Sequence, residues 1–248
     1  MDLDPTVRFS ARVDDYIRYR PSYPADLVTL LKRECGLTPH SRIADIGSGT
    51  GLLSELFLRY GCEIFGVEPN PDMRKAGERL LAAWPRFHSV EGRAEATTLA
   101  DGSVDLVTAA QSFHWFDPDR ARREFRRILK PAGWVALVWN ERLPASGFMA
   151  GYEDLVTRYG PERPRVDEER LHRFFGHGNW TLTLLSNQQQ FDLDGLRGRF
   201  LSSSYAPMRG TPASAALIEE IDRLFTQYES LGLVTLLYET RVYVGCLG

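Results

Sequence analysis

Residues 41–51 read Ser-Arg-Ile-Ala-Asp-Ile-Gly-Ser-Gly-Thr-Gly, and this stretch decides how the rest of the chain is interpreted. A short apolar run from Ile43 to Ile46 stops at glycine, and a helical spacing of leucines begins directly afterwards at Leu52. The pattern predicts a buried strand, a tight turn and a helix. The turn holds three glycines, Gly47, Gly49 and Gly51. Glycine permits positive φ and leaves no Cβ, so a ligand can lie against the backbone and the helix N-terminus.

A second strand is predicted after Gly61, where residues 63–68 read Glu-Ile-Phe-Gly-Val-Glu. The run ends in the carboxylate of Glu68. An acidic side chain at the end of the second strand is placed to accept hydrogen bonds from two ribose hydroxyls. We therefore predict that Glu68 binds the ribose of a nucleoside-containing ligand.

The glycine spacing separates two classes of such ligand. Nicotinamide sites use Gly-x-Gly-x-x-Gly, whereas this chain has Gly-x-Gly-x-Gly preceded by Asp45. A carboxylate at that position would repel a pyrophosphate and attract the cationic amino group of S-adenosylmethionine. The spacing favours the methyl donor. Two alternatives stay open here: a nicotinamide-dependent oxidoreductase, although no Tyr-x-x-x-Lys proton donor is present, and a non-catalytic protein that binds the donor as a regulatory or structural ligand.

Composition narrows the remaining classes of function. The 248 residues are 43% hydrophobic and 25% charged with a formal net charge of −3, which is typical of a globular protein and gives no general attraction to nucleic acid. Three distant cysteines indicate free thiols, and the histidine spacing predicts no metal site. The N-terminus has no apolar signal core and no stretch predicts a membrane span, so we expect a cytoplasmic protein. The oligomeric state is not readable from the sequence.

Strands and helices alternate along most of the chain. Beyond the first two strands, further strands are predicted at 87–91, 104–110, 134–140, 182–191 and 239–247, with helices at 26–35, 71–83, 118–129, 193–203 and 211–228. This order predicts an α/β fold: a doubly wound, mostly parallel seven-stranded sheet, Rossmann-like, with helices on both faces. We expect one domain over residues 1–248 with a helical cap insertion at about 141–180, where the alternation fails.

Residues 1–24 are predicted to form an N-terminal lid segment. Residues 8–24 are dense in aromatics and arginines, and a short helix is expected at 10–18 before Pro21. Tyr16 and Arg20 are able to hydrogen-bond a carboxylate of the donor or acceptor. The alternative is that these aromatics only pack the segment onto the domain.

Three motifs together resemble the class I S-adenosylmethionine-dependent methyltransferases. They are Asp45-Ile46-Gly47-Ser48-Gly49-Thr50-Gly51, Glu68-Pro69-Asn70 and Ser112-Phe113-His114-Trp115-Phe116. Within that family, the motifs resemble those of the subgroup of trans-aconitate methyltransferases. The resemblance implies a final antiparallel strand, a small-molecule acceptor, and an adenine contact at Gly92-Arg93-Ala94-Glu95. Arg93 replaces the Asp that is common there, so the adenine contact is expected from the Ala94 backbone or from Glu95.

The segment after the fourth strand is predicted to border the reacting sulfonium, because ligands of open α/β sheets lie outside the carboxyl ends of the strands. Phe113 or Trp115 could pack against the positive sulfur, and His114 is the candidate catalytic residue. The predicted cofactor-binding residues are Tyr16, Arg20, Asp45, Gly47, Ser48, Gly49, Gly51, Glu68, Pro69, Ala94, Glu95, Gln111, Ser112, Phe113 and Trp115.

Arginines accumulate at both predicted walls of the acceptor site. They are Arg12, Arg18 and Arg20 in the lid and Arg158, Arg163, Arg165, Arg170 and Arg173 in the insertion. Arginine binds carboxylates bidentately, and a carboxylate acceptor needs no base to remove a proton. The sequence therefore predicts methyl ester formation on a small organic acid, with His114 orienting it. The alternative is that the cap arginines pair with neighbouring acidic residues on a solvated face.

Overall fold

The computed structural model describes residues 17–143, 147–160, 167–203, 206–207 and 210–248. Its strands are β1 Arg42–Ile46, β2 Glu63–Val67, β3 Phe87–Val90, β4 Val104–Ala110, β5 Leu129–Arg142, β6 Trp180–Phe191 and β7 Val234–Gly245. Its helices are α1 Asp26–Cys35, α2 Leu52–Tyr60, α3 Pro71–Leu80, α4 Pro118–Ile128, α5 Phe148–Tyr159, α6 Glu168–Phe175, α7 Leu193–Leu201 and α8 Pro212–Tyr228.

The strands form one seven-stranded sheet in the order β3-β2-β1-β4-β5-β7-β6. Neighbours from β3 to β5 pair in parallel, and β7 is antiparallel to both β5 and β6. The predicted doubly wound, mostly parallel sheet with a final antiparallel strand is therefore confirmed. The order reverses between β1 and β4, and ligands of open α/β sheets bind beside such a reversal.

β1 lies inside the sheet, between β2 and β4, and is buried on both faces. Its apolar run, with Ile43, Ala44 and Ile46 at most 1% exposed, suits a strand covered on both faces. One core cluster packs β1 and β4 under α4 and α6, and a second packs the opposite face under α1 and α2. A third cluster packs α5, α7 and α8 on the far ends of β6 and β7, through residues such as Tyr152, Phe200 and Leu236.

Three strands run beyond their predicted bounds. β5 begins at Leu129 rather than at residue 134, because the chain already pairs with β4 at Leu129 and crosses a register shift with Ala132 at φ 62°. β6 begins at Trp180 rather than at residue 182. The last strand begins at Val234 rather than at residue 239, because β7 pairs with β6 along all twelve residues from Trp180 to Phe191.

The described residues of the predicted insertion form the helices α5 and α6. Most of the helix predicted at 10–18 lies outside the described residues. In the part of the chain that the structure describes, no helix combines the length and apolarity needed to cross a bilayer.

Candidate functional site

The glycine loop wraps around the end of β2. The amides of Gly47 and Ser48 both donate to the Val67 carbonyl, at 2.8 and 3.2 Å. Gly47 has φ 68°, and a Cβ there would lie 2.7 Å from the Cβ of Ser112. Ser112 also donates its hydroxyl to the Ile46 carbonyl at 2.9 Å. Glycine at position 47 is therefore required both by the backbone angle and by the close approach of the residues that follow β4.

Glu68 fastens the same loop from the other side. One carboxylate oxygen accepts from the Gly49 amide at 2.9 Å, and the other accepts from the Asn70 amide at 2.8 Å. The side chain is buried, and this burial raises the pKa of the carboxyl although both amides and Arg74 oppose the shift. Each carboxylate oxygen keeps further acceptor capacity. Ribose binding by Glu68, beside the part-buried Pro69, stays a prediction, and Glu68 also shapes the loop.

Asp45 lies beneath the loop rather than at its surface. It is 1% exposed, and its oxygens accept from the hydroxyls of Ser54 on α2 at 2.7 Å and Thr108 on β4 at 3.0 Å. Burial raises the pKa of Asp45 to about 6 against the effect of both hydrogen bonds. This carboxylate joins β1, α2 and β4, and its predicted attraction for the donor's amino group stays a prediction.

The predicted adenine segment forms a tight backbone bridge. Arg93 and Ala96 exchange two hydrogen bonds of 3.0 Å, and Ala94 between them is buried. Glu95 accepts from the Asp117 amide at 2.9 Å, so its carboxylate helps to hold the start of α4. This contact occupies one oxygen of Glu95 and leaves the Ala94 backbone in place for the predicted role.

The segment after β4 is mostly buried or half-buried, and Trp115 is its exposed aromatic residue. Gln111 adopts φ 54°, and its side-chain amide donates to the Asn140 carbonyl at 3.1 Å. Phe113 is fully buried in edge contacts with Trp139 and Phe174, so its ring belongs to the core. Trp115 is 42% exposed and is the aromatic of the predicted pair that keeps surface for a cation.

His114 is neutral at neutral pH. Burial, with a smaller contribution from the nearby Arg170, lowers the pKa of the imidazole to about 4. Its Nδ1 atom is buried and has no hydrogen-bond partner among the described residues. An unpaired nitrogen on a neutral imidazole can donate or accept one further hydrogen bond, depending on the tautomer.

Arg170 of α6 is the cap arginine that reaches this segment. It donates to the Phe116 carbonyl, and its guanidinium lies 5.6 Å from the centre of the Phe113 ring. Its Nε atom is buried and unpaired within the described part of the chain. The abundance of arginine in the insertion did not distinguish Arg170 from its neighbours, because the contact arises only when α6 packs on α4.

The predicted lid residues are placed only in part. Tyr16 lies outside the described residues, whereas Arg20 donates to the Ser202 carbonyl at 3.4 Å. The carbonyl of Ser22 accepts from the side chains of Asn140 and Asn187. Sequence reasoning missed these two asparagines, because a single Asn in a strand carries no local pattern.

Comparison with known proteins agrees with this geometry. Residues 44–137 match a family model described as a methyltransferase domain. An uncharacterized methyltransferase of Mycobacterium tuberculosis is 37% identical over 164 residues, which cover 66% of this chain and 65% of the relative. A Saccharomyces cerevisiae protein assigned as an S-adenosylmethionine-dependent methyltransferase is 31% identical over 126 residues, covering 49% of this chain and 43% of the relative. The matched part of this chain thus spans less than two thirds of the length of each of these relatives.

A solved structure from Anaeromyxobacter dehalogenans, assigned as a type II methyltransferase, has the same fold. It superposes with a TM-score of 0.70 at 22% identity, over 92% of this chain and 98% of that one. The fold and the glycine loop define a Rossmann-like domain of the methyltransferase type. Together with the family match and the relatives, they show that residues 44–137 form a methyltransferase domain similar to those of the class I S-adenosylmethionine-dependent methyltransferases, and they indicate S-adenosylmethionine as the cofactor.

Replacement of Glu68 tests the donor site. We expect Glu68→Ala to weaken binding of S-adenosylhomocysteine by about 1.5–3 kcal/mol, because charge-assisted hydrogen bonds to the ribose and to the Gly49 amide are lost together. Isothermal titration calorimetry gives the dissociation constant. Glu78→Ala, which removes an exposed carboxylate from α3, is the matched control. An unchanged dissociation constant for Glu68→Ala would refute this placement of the ribose.

Asp45 gives a pH dependence of stability. With its pKa raised to about 6, the native state holds a proton more tightly than the unfolded chain, so the contribution of Asp45 to stability grows as pH falls from 7 to 5. We expect wild type to gain about 1 kcal/mol in unfolding free energy relative to Asp45→Asn over that interval, measured by urea denaturation. Parallel stability profiles for the two proteins would contradict the raised pKa.

Proposed function

We propose that this protein transfers the methyl group of S-adenosylmethionine to a small carboxylic acid and forms a methyl ester. The observation that carries the proposal is that the cationic Arg170 lies near His114, a neutral imidazole with its pKa lowered to about 4, and contacts Phe113 and Phe116 on either side of that histidine's segment. A carboxylate oxygen attacks the methyl carbon, the carbon–sulfur bond breaks, and its electron pair stays on sulfur to give S-adenosylhomocysteine. No proton is removed from the acceptor in this step.

The low basicity of His114 favours this acceptor over others. Amines, alcohols and carbon acids usually need a base during methylation, and an efficient base has a pKa near the working pH. A carboxylic acid with a pKa near 4 is already ionised at pH 7. His114 then serves to orient the acceptor through its unpaired nitrogen. The protein contributes mainly alignment, which can lower a barrier by about 7–11 kcal/mol.

The arrangement of the cap arginines supports an anionic acceptor. Arg158 is paired with Asp154 and Glu220, and Arg173 with Asp119, as on a solvated face. Arg170 instead lies against Phe113 and keeps a buried, unpaired Nε among the described residues. Arg163 and Arg165 lie outside those residues. Of the described cap arginines, Arg170 is therefore the one available to a carboxylate near His114.

Two further lines support the proposal. The resemblance of the motifs to trans-aconitate methyltransferases points to an organic acid independently of the charges. The nicotinamide and non-catalytic alternatives are not favoured, because the family match and the relatives are methyltransferases. The lid of residues 1–24 and the cap at about 141–180 are proposed to close the acceptor site within a single cytoplasmic domain of residues 1–248.

A panel of acceptors tests the reaction. We expect production of S-adenosylhomocysteine with mono-, di- or tricarboxylic acids, and none with matched amines, phenols and thiols. The rate should change little between pH 6 and 9, because both His114 and the acceptor stay in one ionisation state. Turnover confined to amines or phenols and abolished in His114→Ala would show that His114 is a base and that the carboxylate proposal is wrong.

Arg170→Gln tests the binding of the anion. We expect KM for the acid to rise about tenfold or more, since a charge-assisted contact is lost, while the affinity for S-adenosylhomocysteine is unchanged. Arg173→Gln, on the same helix and paired with Asp119, is the control and should leave KM unaltered. Equal KM values for the two variants would exclude Arg170 from the acceptor site.

A further inference from the structure

Two asparagine side chains converge on one backbone carbonyl of the N-terminal segment. Asn140 near the end of β5 and Asn187 on β6 donate to the Ser22 carbonyl at 3.1 and 2.8 Å. The side chain of Asn187 also donates to that of Asn140 at 3.2 Å, and Thr240 of β7 donates to the same Asn140 oxygen at 2.5 Å. Side chains of β5 and β6 thereby hold the segment, and Thr240 of β7, which lies between these strands, supports Asn140.

The same residue connects the segment to the glycine loop. The Asn140 carbonyl accepts from the side chain of Gln111, which occupies a left-handed backbone position at the end of β4. The next residue, Ser112, donates to the Ile46 carbonyl and touches the position of Gly47. A continuous path therefore leads from Ser22 through Asn140 and Gln111 to Ser112, which contacts the loop proposed to bind the donor.

A second support of the segment comes from α7. A Cβ at Gly198 would lie 2.1 Å from the ring of Tyr19, so glycine at this position makes room for that ring. The side chain of Gln189 on β6 approaches the Tyr19 carbonyl at 3.5 Å. The segment is thus held at two positions: Ser22 contacts β5 and β6, and Tyr19 packs against α7.

We propose that Asn140 and Asn187 form an amide clamp, defined by these two side chains and the Ser22 carbonyl, that positions residues 19–22 for donor binding. The inference rests on the donor site proposed at the glycine loop and adds two positioning residues to it. Gln111 is bonded to Asn140 of the clamp, and the next residue, Ser112, is bonded to Ile46 beside the glycine loop. Ordering of the clamp therefore favours ordering of the loop, and the reverse. By linkage, bound donor then protects the segment, and an intact clamp raises donor affinity.

The hydrogen bonds of the Asn187 side chain suggest a substitution that tests the clamp directly. Both hydrogens of its side-chain amide are used, on Ser22 and on Asn140, while its oxygen accepts from the Gln188 amide at 2.8 Å. Asn187→Asp keeps the size and the acceptor, and replaces the donor with an oxygen that faces two other oxygens. Gly198→Ala displaces Tyr19 without altering the clamp residues. Gln190→Ala, at an exposed position on the same strand, is the matched control.

The experiment measures S-adenosylhomocysteine affinity by calorimetry and amide hydrogen exchange of residues 17–24, with melting temperature as a check of folding. We expect Asn187→Asp and Gly198→Ala each to weaken binding about tenfold and to speed exchange in the segment, as the loss of one or two hydrogen bonds implies. Gln190→Ala should do neither. In wild type, the ligand should slow exchange in the segment, and in Asn187→Asp this protection should shrink.

Other outcomes overturn the inference. Faster exchange with unchanged affinity would reduce the clamp to a packing contact, and unchanged exchange in both variants would exclude it. If Asn187→Asp does not fold, Gly198→Ala decides alone, and normal binding by that variant refutes the positioning role. Failure of wild type to bind S-adenosylhomocysteine would refute the donor site itself, which is a distinct result because it precedes any variant.

Discussion

The carboxylate of Glu68 joins the glycine loop to the end of β2, and the proposed donor site depends on this contact. It ties the Gly49 amide to the end of β2, while Gly47 touches Ser112 at the end of β4. The loop is therefore fixed between its two neighbouring strands at the point where the strand order reverses. A loop with three glycines loses much conformational freedom on folding, and such contacts offset that loss before any ligand arrives. The buried network of Asp45, Ser54 and Thr108 supports it from below.

Local patterns were enough to predict the donor half of the fold. The bounds of α1, Asp26–Cys35, and of β4, Val104–Ala110, agree with the sequence because glycines and apolar runs delimit each element there. The mostly parallel sheet followed from the alternation of strands and helices, and the antiparallel β7 followed from the resemblance, whereas the strand order came only from the structure. The exact length of β7 could not be predicted from the sequence, because residues 234–238 pair with β6, which is distant in the chain.

The acceptor half was less accessible to sequence reasoning. Phe113 is buried and Trp115 is exposed because α6 covers the first ring and not the second. A run of aromatic residues in the sequence does not show which of them a distant helix will cover. The same packing brings Arg170 near His114 and Arg173 to Asp119, whereas Arg158 of α5 pairs with Glu220 of α8. Asn140 and Asn187 are 47 residues apart and meet only because β7 separates their strands by one position.

The length of the β6–β7 ladder has a consequence for how new selectivity can arise. β5 stops pairing at Tyr238, whereas β6 and β7 continue together to Phe191 and Val234. Beyond that point the sheet is a two-stranded ribbon, which twists more freely than a wide sheet, and it carries the third core cluster. Insertions, deletions or changes of angle in this ribbon leave β1, β2 and β4 untouched. The molecule is thus divided into a part that is costly to alter and a part whose shape can change without moving the strands that hold the glycine loop.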